Sequence, residues 1–183
     1  MGVSGRKVEF RRMVAEDLRL LHDWLERPHV RRWWGERRTY DAVVEHYLPA
    51  VEGREPTDHY FVLLDDRPIG MLQTYLVKDY PEHAAVMGVA DDATAGVDIL
   101  VGEEELTGQG LGTEILRRFV DEVVFARDET ADCIADPAVD NVASVRAFEK
   151  AGFRVVRTFV DPQDGQTRAV VRRDRYGAQS APR

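Results

Sequence analysis

The most constraining stretch of the chain is a strand that runs through a glycine-spaced turn into a helix. Gly96-Val97-Asp98-Ile99-Leu100-Val101 reads as a strand, and an acidic run, Glu103-Glu104-Glu105, follows it. Thr107-Gly108-Gln109-Gly110-Leu111-Gly112-Thr113 then places glycine at every second position. From Gly110 to Phe125, Leu111, Ile115, Phe119 and Val123 recur every four residues, which predicts a helix. Unpaired amides and the positive end of the macrodipole converge at such a helix start. Glycines there let the backbone approach an anion such as a pyrophosphate. Two other phosphate motifs are excluded. No Gly-x-x-x-x-Gly-Lys-Ser/Thr is present, and no Gly-x-Gly-x-x-Gly opens an N-terminal parallel strand unit.

The rest of the chain supplies an α/β frame for that turn. Val8–Met13 reads as a strand and Ala15–Arg27 as a helix with Leu18, Leu21, His22 and Leu25 on one face, ended by Pro28. Arg31–Arg38 reads as an aromatic, basic loop, and Tyr40–Val51 as a second helix. His59–Leu64 and Ile69–Val77 form a hairpin about Asp65-Asp66-Arg67-Pro68. Asp79–Ala95 has no period and reads as a long loop. After the glycine turn come a strand over Ala131–Asp136, a helix over Asn141–Ala151 between Asn141 and Gly152, and a last hairpin of Phe153–Val160 with Arg168–Arg173. This order predicts an α/β (α+β) fold around one mixed, mostly antiparallel sheet with a parallel portion.

Length and composition narrow the function. A chain of 183 residues predicts one domain, over 1–175, with Tyr176–Arg183 as a disordered tail. The longest apolar runs fall short of the roughly 20 residues of a membrane helix, and the polar, basic start is no signal peptide, so no membrane partner and a cytoplasmic location are expected. Cys133 is the only cysteine and reads as a core residue, which excludes an intramolecular disulfide. The five histidines are scattered, and no metal is predicted. The net charge of −8, from 33 acidic and 25 basic residues, argues against nucleic acid and suits a cationic ligand.

The turn resembles the pyrophosphate loop of the GNAT superfamily of N-acetyltransferases, Gln/Arg-x-x-Gly-x-Gly/Ala. Gly110 and Gly112 match, and Thr107 replaces the usual Gln or Arg. Asn141-Val142-Ala143-Ser144, then Phe148 and Lys150-Ala151-Gly152-Phe153, resembles the second signature of that family. The resemblance covers roughly residues 8–173 and is greatest to aminoglycoside 6'-N-acetyltransferases. It rests on His22-Asp23-Trp24-Leu25, Trp33-Trp34-Gly35, Tyr47-Leu48-Pro49, Pro68-Ile69-Gly70 with Gln73-Thr74-Tyr75, Gly96-Val97-Asp98, and Asp136-Pro137 with Asn141. It implies a GNAT fold: about six to seven strands, helices on both faces and a splayed central strand pair. It further implies acetyl-CoA (coenzyme A) as cofactor, a polycationic aminoglycoside as acceptor, and a monomer or homodimer.

Acetyl transfer to an amine requires a neutral amine, held about 3 Å from the thioester carbon, and a path for its proton. A carboxylate inside an apolar strand is costly unless it is paired or faces a cleft. On the GNAT likeness, Asp98 is the amine anchor and a base through water, and Asp136 anchors a second ammonium. The likeness assigns cofactor contacts to Ile99, Leu100, Val101, Thr107, Gly108, Gln109, Gly110, Leu111, Gly112, Thr113, Asn141 and Ser144. Trp33, Trp34 and Tyr75 are candidate acceptor walls, because aromatic faces suit sugars and cations; core packing of a helical lid is the other reading for the two tryptophans. Many relatives place a tyrosine acid where Phe148 stands, and phenylalanine has no proton to give.

Three alternatives stay open. One is a siderophore-type lysine N-acyltransferase, whose members usually carry His at the Asp98 position. The second is an acetyltransferase for peptide or protein amines. The third is a non-catalytic acyl-CoA sensor.

Overall fold

The computed structural model describes residues 6–34 and 39–176. Their strands are β1 (Val8–Arg12), β2 (Asp58–Leu64), β3 (Arg67–Leu76), β4 (Thr94–Val101), β5 (Asp132–Ala135), β6 (Arg154–Val160) and β7 (Thr167–Asp174). Their helices are α1 (Leu18–Leu25), α2 (Pro28–Trp34), α3 (Tyr40–Val51), α4 (Pro81–Met87), α5 (Leu111–Phe119) and α6 (Val142–Lys150). The strands hydrogen-bond in the order β1-β2-β3-β4-β5-β7-β6. The chain divides into two compact units, Met1–Tyr75 with Asp98–Ile115 and Leu76–Val97 with Leu116–Arg183. Strand β4 contributes its first half to one and its second half to the other.

The first unit is a meander over which α1 and α3 bury their apolar faces. β1 pairs antiparallel with β2, and β2 with β3. The β2–β3 turn is the pair Asp65-Asp66, with φ of 50° and 66°. Aspartate tolerates that left-handed conformation better than most residues, and it matches the twist of a two-residue hairpin. The core gathers Leu18, Leu21, Trp24 and Leu25 of α1, Val43 and Tyr47 of α3, Phe61, Met71 and Leu100. Trp24 lies against Phe61, ring centres 5.0 Å apart. A fully buried Trp contributes about 3–5 kcal/mol over Ala at such a position.

In the second unit β4 runs parallel to β5, but only Thr94–Gly96 find partners, opposite Asp132–Ile134. β4 continues to Val101 beyond that register. β7 is antiparallel to both β5 and β6. Asp132 is buried under Arg172, Nη2 to Oδ2 2.7 Å, and also accepts from the Thr94 hydroxyl. Burial pushes the Asp132 carboxyl up, and Arg172 and Thr94 oppose that. Cys133 is buried, as a core residue.

Several local expectations need correction. The Arg31–Arg38 loop is helical through Trp34, and Gly35–Arg38 lie outside the described residues. Pro28 ends α1 and also opens α2, where a missing N–H costs nothing. The Asp79–Ala95 loop contains α4, with Pro81 at its start and Gly88 at φ 67° closing it. At seven residues it is too short to show a period. The helix expected to run to Phe125 is α-helical only to Phe119, and Val120–Val124 make a π-helical turn. That turn inserts one residue, so Val124 is buried instead of Val123. The tail beyond Tyr176 lies outside the described residues.

Candidate active site

The glycine turn presents bare main chain. Gly108 and Gly110 have φ of 71° and 81°, and a Cβ at Gly108, Gly110 or Gly112 would meet no atom within 4 Å. The Thr107 hydroxyl donates to the Glu104 carbonyl at 2.7 Å, and the Gln109 amide donates to the Glu105 carbonyl. Both side chains therefore fold back onto the preceding turn. The first intrahelical bond of α5 runs from Glu114 N–H to the Gly110 carbonyl, 3.3 Å. The amides of Leu111, Gly112 and Thr113 consequently have no acceptor within the helix. An open, left-handed turn ahead of three such donors fits a diphosphate.

A buried clamp fixes the start of that turn. Glu103 is 8% exposed. It accepts from the Trp24 indole N–H at 3.2 Å and from Arg27 Nη1 at 2.8 Å, with Arg67 3.8 Å away. Burial acts to raise the Glu103 carboxyl, but the Arg27 and Trp24 hydrogen bonds outweigh it and hold the group below its ordinary value. Arg27 also donates to the Gly102 carbonyl, and His29 Nε2 lies 3.0 Å from the Val101 carbonyl. A Cβ on Gly102 would collide with the Trp24 ring, so glycine is required there. Glu103 stands in the acidic run Glu103-Glu104-Glu105, and it ties the end of β4 to α1. Of the other β4 candidates, Leu100 is buried in the first core, and Ile99 and Val101 are half-buried.

Asp98 ends a three-strand polar ladder. It is half-buried in β4, and its Oδ2 accepts from Gln73 Nε2 of β3 at 2.8 Å. Gln73 Oε1 lies 3.1 Å from His59 Nε2 of β2, its partner in the hairpin register. His59 is 7% exposed. Burial lowers its pKa from the usual 6.5 to about 4, so the imidazole is neutral at pH 7. Gln73 stood in the sequence only as part of a motif, and His59 had no role; their alternation along paired strands is the signal that was available.

The remaining candidates belong to the second unit or to α2 and β3. Asp136 follows β5 and lies beside Arg168, Nη1 to Oδ2 3.9 Å. Arg168 also reaches Asp161 and Asp164, at 2.7 and 2.8 Å. Asn141 caps α6 by accepting from the Ser144 amide, 3.2 Å. Phe148 is 3% exposed and meets Phe153 edge-on, 5.1 Å between centres. Trp34 is half-buried against the first core and donates to the Tyr47 hydroxyl at 3.1 Å. Trp33 is half-buried beneath the Arg32 guanidinium, 4.7 Å away. Tyr75 is 7% exposed. Among the described residues no His, Cys, Asp and Glu group gathers at metal-binding distances, and no helix is long and apolar enough to cross a membrane.

Comparison with known proteins places this geometry. The acetyltransferase (GNAT) domain family matches residues 13–160. An aminoglycoside N(6')-acetyltransferase type 1 of Klebsiella pneumoniae is 34% identical over 181 residues, covering 94% of this chain and 89% of that protein. The crystal structure of AAC(6')-Ib with coenzyme A and kanamycin is similar with a TM-score of 0.78 at 31% identity, over 93% of this chain and 96% of that one. The same enzyme with acetyl-CoA and paromomycin gives a TM-score of 0.79, also at 31% identity, over 93% of this chain and 94% of that one. A seven-stranded mixed sheet, a glycine turn ahead of α5 and a family match across most of its length make this chain a member of the GNAT acetyltransferase family.

Proposed function

We propose that the chain is an acetyl-CoA-dependent N-acetyltransferase acting on the 6'-amino group of aminoglycosides, with antibiotic resistance as the consequence. The observation that carries this reading is the 34% identity, over 94% of the chain, to an enzyme of that named activity. Acetyl-CoA supplies the acetyl group as a thioester. The free space at Gly108, Gly110 and Gly112 and the spare amides of Leu111–Thr113 support a diphosphate at this turn.

In this reading Asp98 anchors the reacting amine and takes its proton through a water molecule, and Asp136 attracts a second ammonium. The neutral amine nitrogen bonds to the thioester carbonyl carbon, the carbon–sulfur bond breaks, and the departing thiolate takes a proton from solvent. Phe148 is buried and has no proton to donate, which favours solvent as that source. The acidic balance of the chain, −8 overall, favours a polycationic acceptor.

Release of free thiol from acetyl-CoA with kanamycin tests the reading. Kanamycin-dependent turnover supports it. Turnover only with long-chain acyl-CoA, or binding without turnover, would overturn it. Gly110→Val sets a side chain where the phosphates would lie and imposes φ 81° on a β-branched residue. Acetyl-CoA affinity should fall about a hundredfold, since several charge-assisted contacts are lost together.

A further inference from the structure

We infer that His59 is a positioning residue for the acceptor amine, acting on Asp98 through the Gln73 amide. The inference rests on the aminoglycoside reading above. The geometry is a chain of two hydrogen-bond contacts across three strands: His59 Nε2 to Gln73 Oε1 at 3.1 Å, and Gln73 Nε2 to Asp98 Oδ2 at 2.8 Å.

The chemistry of the three groups fixes its direction. A carboxylate only accepts, so the Gln73 end that faces Asp98 must be the NH2. The opposite end, Oε1, must then accept a hydrogen bond, and His59 Nε2–H donates it. A neutral imidazole carries one N–H, so Nδ1 is bare. Consistent with this, His59 Nδ1 is buried with no hydrogen-bond partner, at no cost of an unpaired donor. Tyr47 meets the imidazole edge-on, 5.3 Å between centres, and restricts ring rotation.

A glutamine amide has two nearly equivalent orientations. With the other one, its oxygen would face the Asp98 carboxylate and repel it. His59 is the group that selects between them. Replacing it by a residue without an N–H leaves Gln73 free to turn, and Asp98 loses the hold of the Gln73 amide. An amine held a fraction of an ångström off line reacts much more slowly, so the effect falls on acceptor use rather than on cofactor binding.

The test uses the full chain with acetyl-CoA and kanamycin, comparing wild type, His59→Phe, His59→Gln, Gln73→Leu and the double variant. His59→Phe keeps an aromatic ring in the core and removes the donor. It should lower kcat/KM for kanamycin about fivefold to tenfold, the loss of about one hydrogen bond's orienting effect, with the acetyl-CoA KM unchanged. His59→Gln, which retains an N–H, should recover part of the loss, and His59→Phe should add nothing in a Gln73→Leu background. 15N NMR of the unliganded protein should show the proton on Nε2 at pH 7. A proton on Nδ1, a kcat/KM for kanamycin untouched in folded His59→Phe, or losses that add in the double variant would each overturn the proposal. Wild-type protein inert towards kanamycin would remove the functional reading and this proposal with it, whereas an active wild type with an indifferent His59→Phe removes the proposal alone.

Discussion

Asp98 and Asp136 are carboxylates in similar sequence settings, one within a strand and one at a strand end, and sequence reading gave them nearly the same task. Their surroundings differ in kind. Asp98 receives a neutral amide from Gln73, backed by a neutral His59. Asp136 lies beside a guanidinium, Arg168, which Asp161 and Asp164 also share. A dipole orients a carboxylate and leaves its charge in place. A cation 3.9 Å away offsets part of the field an incoming ammonium would feel at Asp136, while Arg168 lies closer to Asp161 and Asp164. The difference teaches that two acidic residues in one family signature need not be equally available to a cationic acceptor.

The largest expected effect is on stability and concerns the Asp98 side. His59 titrates at about 4 in the folded protein against 6.5 ordinarily, so the unfolded chain binds more protons between those values. Stability is therefore intact above about pH 6.5 and falls as the pH drops towards 4, by up to about 3 kcal/mol from this residue. Chemical denaturation of wild type and His59→Phe at pH 7 and pH 4.5 checks this: the variant should lose less on acidification.

Next in size is Asp98→Asn. Removing a charge-assisted contact should lower kcat/KM for kanamycin about 30- to 100-fold, while acetyl-CoA affinity stays within about twofold. Equal losses in both would break the assignment. Asp136→Asn should cost less, about fivefold in kcat/KM, because Arg168 already shares that carboxylate. A loss as large as that of Asp98→Asn would erase the contrast between the two sites. The smallest effect is that of Arg168→Leu, which frees Asp136 and should lower the kanamycin KM about threefold, more at low salt than at high, as steady-state kinetics across ionic strength would reveal. A raised KM would mean that Arg168 serves the acceptor instead of competing with it.

Much of this is legible in the sequence. The glycine turn ahead of α5 and the caps at Asn141 and Gly152 are local devices, written in adjacent residues. So is the two-residue turn of the β2–β3 hairpin. The helices α2 and α4 were missed because seven-residue segments are too short to show a period, though Pro28, Pro81 and Gly88 marked their ends. The buried role of Glu103 was hidden because its partners, Trp24 and Arg27, lie more than 70 residues earlier. Arg168 was hidden from Asp136 for the same reason, 32 positions away.

The sequence by itself determined the order of the strands, the glycine turn ahead of α5 and the membership of the chain in an acyl-transfer family, because each is carried by neighbouring residues. Only the tertiary structure decided which side chains meet across strands. The β2–β3 register shifts by one residue at Val62/Leu63, so that Val62 opposes Gly70 while Leu63 opposes Pro68. Carried on from its turn without that shift, the hairpin would oppose His59 to Leu72 and send Gln73 to the other face. Side chains alternate with a period of two, and one extra residue in a strand therefore exchanges the faces of everything beyond it. That single irregularity aligns His59 with Gln73 and so brings the Gln73 amide to Asp98.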